Sequence, residues 1–247
     1  MRLLLLLLLL LQMCGACSTV QTSQQNSSVQ ADQSLLREMQ FMFPQHFAEV
    51  KRSLQRANLA QLRSADLGLV IDENLVEQEF VSIVQQLKAS TPGSLNDLAE
   101  AEYQMSWEDI ADNYRQHLRD NLLYRSVYVT DAQQLRKLKV AVLANRQLSV
   151  VNRWRDELEL GRRPEGLGAD VTDLPEWRTD VYVPGSIVGP FRAANGLYMI
   201  GMVESVEPSG GQAEWSEIQQ IAATYNISPF AAEVWIHEMA IRYTIGD

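Results

Sequence analysis

The chain has 247 residues, 46% of them hydrophobic, and a formal charge of −10; it can bury one large domain or two small ones, and its negative balance argues against nucleic acid or an anionic lipid surface as the main partner. Its cysteines, Cys14 and Cys17, both stand near the start, so the body has no thiol to pair and depends on a core. No Cys/His cluster has metal-ligand spacing, no Gly-rich phosphate loop follows a strand, and no Ser/His/Asp grouping carries a signature, so metal, nucleotide and cofactor chemistry find no support.

In chain order, the first feature is Arg2, the unbroken run Leu3 to Leu11, and Gln12-Met13-Cys14-Gly15-Ala16-Cys17. A positive start, a short apolar core and small residues before a cysteine have the form of an export signal of the lipoprotein kind over residues 1–17. The apolar run is shorter than the roughly 20 residues a permanent bilayer span needs, so the expectation is removal. Cleavage after Ala16 would leave Cys17 as a lipidated N-terminus and the only membrane attachment. Cys14 stands where such signals usually carry Leu, and an ordinary secretory signal is the alternative. Both place the body in the cell envelope outside the cytoplasm, and Ser18 after an acylated cysteine is compatible with outer-membrane sorting. Residues 18–33 are almost all Ser, Thr, Gln, Asn and Val, with almost no large side chains, the composition of a tether.

Helical periodicity then dominates residues 34–135. Leu35-Leu36, Met39, Phe43, Phe47, Val50 and Leu54 recur at helix spacing with Pro44 able to divide the stretch, and Leu59 to Ala65 continue it to a stop at Gly68. Asp72 reads as the N-cap of a helix whose inner face is Leu75, Val76, Phe80, Ile83, Val84 and Leu87, closed by Pro92-Gly93. Ser94 with Asp97 opens a short helix to Tyr103, and Ser106 with Asp109 starts another through Ile110, Tyr114, Leu118 and Leu122. Residues 136–208 change character. Leu138 to Leu143 reads as a strand and Leu148 to Leu160 as a helix ended by Gly161. Arg162 to Pro175 reads as loop, Asp180 to Val183 as a strand before Pro184-Gly185, and Leu197 to Val206 as a strand after the Asn195-Gly196 turn. The tail, 209–247, is helical from Trp215 to Tyr243 with a break at Ser228-Pro229. The fold class expected is α+β.

Two sets of motifs carry a resemblance. Gly68-Leu69-Val70-Ile71-Asp72-Glu73-Asn74-Leu75-Val76, Trp107-Glu108-Asp109-Ile110 and His117 to Tyr124 form the first. The second is Asp173-Leu174-Pro175-Glu176-Trp177, Val183-Pro184-Gly185-Ser186-Ile187-Val188-Gly189-Pro190-Phe191 and Asn195-Gly196-Leu197-Tyr198-Met199-Ile200. In this order they resemble the SurA and PrsA class of exported parvulin-type foldases and chaperones. The resemblance implies a mainly helical N-terminal chaperone-like module, a small degenerate parvulin-like β-sheet, and a C-terminal helix packing back on the helical module. It implies as partners unfolded exported or outer-membrane proteins, held in a groove between module and sheet.

An isomerising parvulin lowers the rotation barrier of an X-Pro bond, about 20 kcal/mol, in a pocket with two histidines and a polar Cys or Asp. Here the corresponding positions hold Ala141 and Tyr198, and only Arg162-Arg163-Pro164-Glu165 stand between Gly161 and Gly166, where the polar residue would lie. The resemblance therefore implies no catalytic residue. It leaves Trp177, at the position of the pocket aromatic, as the candidate peptide-binding residue, with plain core packing as the competing role. His46, His117 and His237 are each isolated and read as structural. A lipid-anchored chaperone without isomerase activity is the first expectation. A divergent prolyl isomerase and a scaffold subunit with one fixed envelope partner are the alternatives.

Overall fold

The structure is a computed structural model that describes residues 47–91, 93–103, 105–177, 182–209, 211 and 213–244. The signal segment with Cys17, the tether, the Leu35 to Phe43 stretch, Pro44 and His46 lie outside the described residues. Among those described the protein is α+β, with helices α1 (Phe47–Leu67), α2 (Glu73–Ser90), α3 (Leu95–Tyr103) and α4 (Trp107–Gln134), strand β1 (Lys137–Asn145), and helix α5 (Leu148–Glu159). Strands β2 (Asp170–Pro175), β3 (Ile187–Arg192) and β4 (Tyr198–Glu207) and helices α6 (Trp215–Thr224) and α7 (Pro229–Thr244) follow.

The helices begin and end where local chemistry directs. Asp72 Oδ1 accepts the Asn74 N–H at 2.9 Å and Ser94 Oγ accepts that of Asn96 at 3.2 Å. Ser106 Oγ accepts the Asp109 N–H at 3.1 Å and donates to the Asp109 carboxylate at 2.7 Å; each backbone N–H so bound is a donor the first turn leaves open. Gly68 and Gly161 take φ of 66° and 69°, which lets Leu69 and Arg162 donate back to the carbonyls of Ser64 and Glu157 and close α1 and α5. Pro229 opens α7, where Ser228 Oγ accepts the Ala231 N–H at 3.2 Å.

Contacts divide the described residues into two compact units. One holds residues up to Asn58 with Val70–Leu123, the other Leu59–Leu69 with the residues from Tyr124 on. The 28-residue α4, about 42 Å long, contributes its first half to one unit and its second half to the other.

In the helical unit α2 and α4 run side by side in opposite directions. Glu73 meets Arg119, Glu77 meets Arg115, and Phe80 meets Tyr114, with 2.6 Å and 2.9 Å for the two ion pairs and 6.4 Å between the rings. Beneath this ladder Val76, Phe80, Leu95, Ala99, Ile110, Leu118 and Leu122 are buried, each large apolar side chain worth about 1.5–3 kcal/mol of transfer free energy.

The other unit is built on an antiparallel sheet of order β2-β1-β4-β3. β1, covered on both faces, is nearly continuous apolar sequence. One face, with Leu143, Ile200 and Met202, packs on Val151, Trp154 and Leu158 of α5. The opposite face, with Val140 and Gly201, meets Phe230 of α7. A Cβ on Gly201 would lie 2.5 Å from Val140 Cγ1 and 2.7 Å from Phe230 Cζ, so α7 sits at a distance only glycine permits. α7 also reaches helices of the same unit. The Trp235 and Tyr124 rings meet edge-on at 4.8 Å, and the Tyr243 hydroxyl donates to Asp66 at 2.6 Å.

Two strand expectations need correction. The stretch Arg162 to Pro175, expected to be loop, contains β2. Only Leu174 and Pro175 of this strand are buried, so it has no inward-facing alternation to announce it, and pairing with Lys137 to Val142 makes it a strand. The expected strand at Asp180 to Val183 is absent where it can be seen: Tyr182 and Val183 lie outside any strand, and Asp180-Val181 lie outside the described residues. The corresponding strand is β3, whose pairing with β4 shifts register between Val188 and Phe191. Pro190 within it is tolerated because β3 is an edge.

Candidate functional site

Trp177 leaves the end of β2 anchored by its neighbour. Glu176, whose side chain is 2% exposed, takes a hydrogen bond from Arg136 Nε at 2.5 Å, and its backbone N–H donates to the Arg136 carbonyl at 2.8 Å. The Trp177 indole N–H turns inward and donates to Asp131 Oδ2 at 2.9 Å. The other oxygen of Asp131 accepts from Arg63 Nη2 at 2.6 Å, and the two side chains of that ion pair are 0% and 8% exposed. Burial alone would lower the Arg63 guanidinium, but the hydrogen bond and charge of Asp131 outweigh it and hold the group above its ordinary value.

Tyr128, one helical turn before Asp131 on α4, sets its ring edge-on to the Trp177 ring at 5.8 Å and 64°. Its hydroxyl donates to the Asp173 carbonyl at 3.2 Å, and burial pushes the phenol well above its ordinary value. Trp177 is only partly buried. With its one polar atom bonded inward, what it offers outward is aromatic carbon, suited to an apolar or proline side chain. Both oxygens of Asp131 are engaged, so its visible task is to hold an arginine and an indole.

The strands carrying Ala141 and Tyr198 are neighbours, with Ala141 opposite Met202 and Tyr198 opposite Asn145. Both positions face α5, about 13 Å apart along the sheet at the usual strand rise. Ala141 is fully buried, and Tyr198 packs against the Leu143, Val151, Leu158 and Ile200 cluster with the Arg192 guanidinium 5.6 Å from its ring centre. The Gly161 to Gly166 stretch runs over the same face, where Arg163 bonds Glu204 and Gly166 approaches Leu143. His117 stacks on Tyr114 at 6.3 Å in the helical unit, and His237 is exposed on α7 with its ring 5.4 Å from that of Phe191. The contacts described for Trp177 are instead with Asp131 and Tyr128.

Sequence reasoning singled out Trp177 and missed Arg63, Tyr128 and Asp131. The available signal was Asp131 itself, a carboxylate closing the run Val127-Tyr128-Val129. A charge inside a buried helix demands a partner. Among the described residues there is no group of three or more His, Cys, Asp or Glu able to hold a metal ion, and no helix long and apolar enough to cross a membrane.

Compared with known proteins, the chain matches no family model, no curated protein and no solved structure.

Proposed function

We propose that the chain is a lipid-anchored chaperone of the cell envelope that binds unfolded or extended segments of exported proteins and does not accelerate prolyl isomerisation. The observation that carries this reading is the sheet. The strands bearing Ala141 and Tyr198 pair directly, which supports kinship with parvulins, and neither position bears the histidine of an isomerising parvulin. Three features support it further. Trp177 presents aromatic carbon with its N–H turned inward. α7 contacts Asp66 of α1 and Tyr124 of α4, which supports a C-terminal helix packed on earlier helices. The N-terminal segment has the composition of a lipoprotein signal ending at Cys17. Lipid would then hold the protein to the membrane, Ser18 being compatible with outer-membrane sorting, and the acidic body would stay free for clients.

The test uses the chain lacking residues 1–17 with a urea-unfolded outer-membrane β-barrel protein diluted into buffer. Suppressed aggregation, together with an X-Pro isomerisation rate equal to the uncatalysed one in a proline tetrapeptide, is the expected result. Unchanged aggregation overturns the chaperone reading. A clear rate increase that falls with Trp177→Ala would instead favour a divergent isomerase.

A further inference from the structure

The geometry points to Asp131 as the positioning residue of a peptide-binding aromatic platform at Trp177, with Arg63 holding Asp131 in place; this rests on the reading of Trp177 as a client contact. A tryptophan whose N–H is left to water can rotate about two side-chain bonds, so its ring has no fixed direction. Here three contacts remove that freedom. The indole N–H is bound to Asp131 Oδ2 at 2.9 Å, the ring edge is set against Tyr128 at 5.8 Å, and Glu176 just before it is clamped by Arg136. Asp131 cannot swing away to follow the indole, because its other oxygen is held by Arg63 at 2.6 Å and its side chain is fully enclosed.

The anchor extends one step further. Arg63 comes within 4.0 Å of Asp66, which accepts the Tyr243 hydroxyl at 2.6 Å from the last turn of α7. A ring fixed before its ligand arrives spends no rotamer entropy on binding. The ligand class that fits is an extended polypeptide presenting proline or aliphatic side chains, which stack on aromatic carbon and make no demand on the hidden N–H. Among the described residues, Asp131 and Arg63 would thus act on clients without touching them.

Two measurements on the full-length chain in detergent test this. The first follows hydrogen exchange of 15N-labelled indole groups, with the Trp177 signal identified by its loss in Trp177→Phe. In the wild type that N–H is expected to exchange at least about tenfold more slowly than free tryptophan, and Asp131→Ala should abolish the difference. An unprotected Trp177 N–H in the wild type, or protection that persists in Asp131→Ala, overturns the proposal. Should Asp131→Ala fail to fold, the wild-type rate alone decides.

The second measures affinity for a fluorescein-labelled peptide of alternating leucine and proline. Asp131→Ala should weaken binding about two- to tenfold, the worth of one oriented aromatic contact, and should have no such effect in a Trp177→Ala background. An equal loss in both backgrounds marks Asp131 as merely structural and overturns the claim. If the wild type binds no peptide, the reading of Trp177 as a client contact fails and the proposal with it, whereas an unprotected N–H in a peptide-binding wild type overturns the positioning role alone.

Discussion

In the helical unit Arg115 and Arg119 reach Glu77 and Glu73 with all four side chains 34–60% exposed, whereas in the sheet unit Arg63 meets Asp131 at 8% and 0%. The chemistry is the same and the energetics are opposite. Water around the exposed pairs screens the attraction and solvates either partner left alone, so such pairs are worth about 0–1 kcal/mol. Around the buried pair there is no water to take over. As a unit it contributes little net stability, yet losing one member strands the other in a low-dielectric interior. The exposed ladder can therefore tolerate variation, while the buried pair fixes how the end of α1, the second half of α4 and the Trp177 segment fit together.

The largest expected effect follows. Asp131→Ala should destabilise the protein by about 3–5 kcal/mol, read from the denaturant midpoint at constant m-value. Replacing the pair together, as Arg63→Met with Asp131→Leu, should recover part of that loss, because no charge is then left alone although the Trp177 N–H still loses its acceptor. A cost for Asp131→Ala no larger than that of an exposed pair would break the contrast.

Next in size is a contrast of packing. The helical unit joins α2 to α4 partly through long side chains that can yield, with the Arg115 guanidinium 3.9 Å from the Phe80 ring centre. The sheet unit joins α7 to β4 at Gly201, where an added methyl would meet Val140 and Phe230 well inside contact distance. Gly201→Ala should cost about 1–3 kcal/mol through strain, again by denaturant unfolding. A neutral Gly201→Ala would mean that α7 is free to move off the sheet.

The same division governs how legible the protein was in its sequence. Asp72, Ser94, Ser106 and Pro229 announced helix starts, and Gly68 and Gly161 announced stops, because capping is settled within a few residues. The central strand β1 announced itself through continuous apolar residues. β2 did not, since an edge strand with two aspartates and only Leu174 and Pro175 buried carries no periodic signal. β3 was displaced for a related reason: the Gly189-Pro190 interruption hid a strand that exists through its pairing with β4. At the site, Trp177 was found through a motif. Arg63 and Asp131, 68 residues apart, are a tertiary encounter that no local pattern encodes. The second half of α4 compounds the difficulty, with Ser126 through Asp131 all buried although three of those six residues are polar. A helix enclosed on every side ordinarily reads as apolar throughout.

A smaller effect belongs to the ladder. The Arg119 hydrogen bond, against some desolvation, holds the Glu73 carboxyl below its ordinary value, so the pair's contribution is present above pH 4.5 and is lost as pH falls through the depressed value. At neutral pH, Arg119→Ala should cost at most about 1 kcal/mol, and raising the salt to about 1 M should shrink that cost. A salt-insensitive loss of several kcal/mol would place the pair with Arg63 and Asp131 instead.

The smallest expected effect gives the helical unit its own pH signature. Burial first, and the positive charge of Arg56 second, lower the His117 imidazole below its ordinary 6.5. The unfolded chain, with His117 near the ordinary value, takes up the proton before the folded protein does. Stability should therefore fall as pH drops below 6.5 and level off once the folded imidazole is also protonated. His117→Gln, which keeps a polar planar group but cannot titrate, should flatten that part of the profile when unfolding is followed from about pH 7.5 to about pH 5. Wild type and variant showing the same slope would mean that His117 meets water as freely in the folded protein as in the unfolded chain. In that case its stacking on Tyr114 would not be evidence of burial, and the contrast in titration between this unit and the buried pair of the sheet unit would lose its histidine.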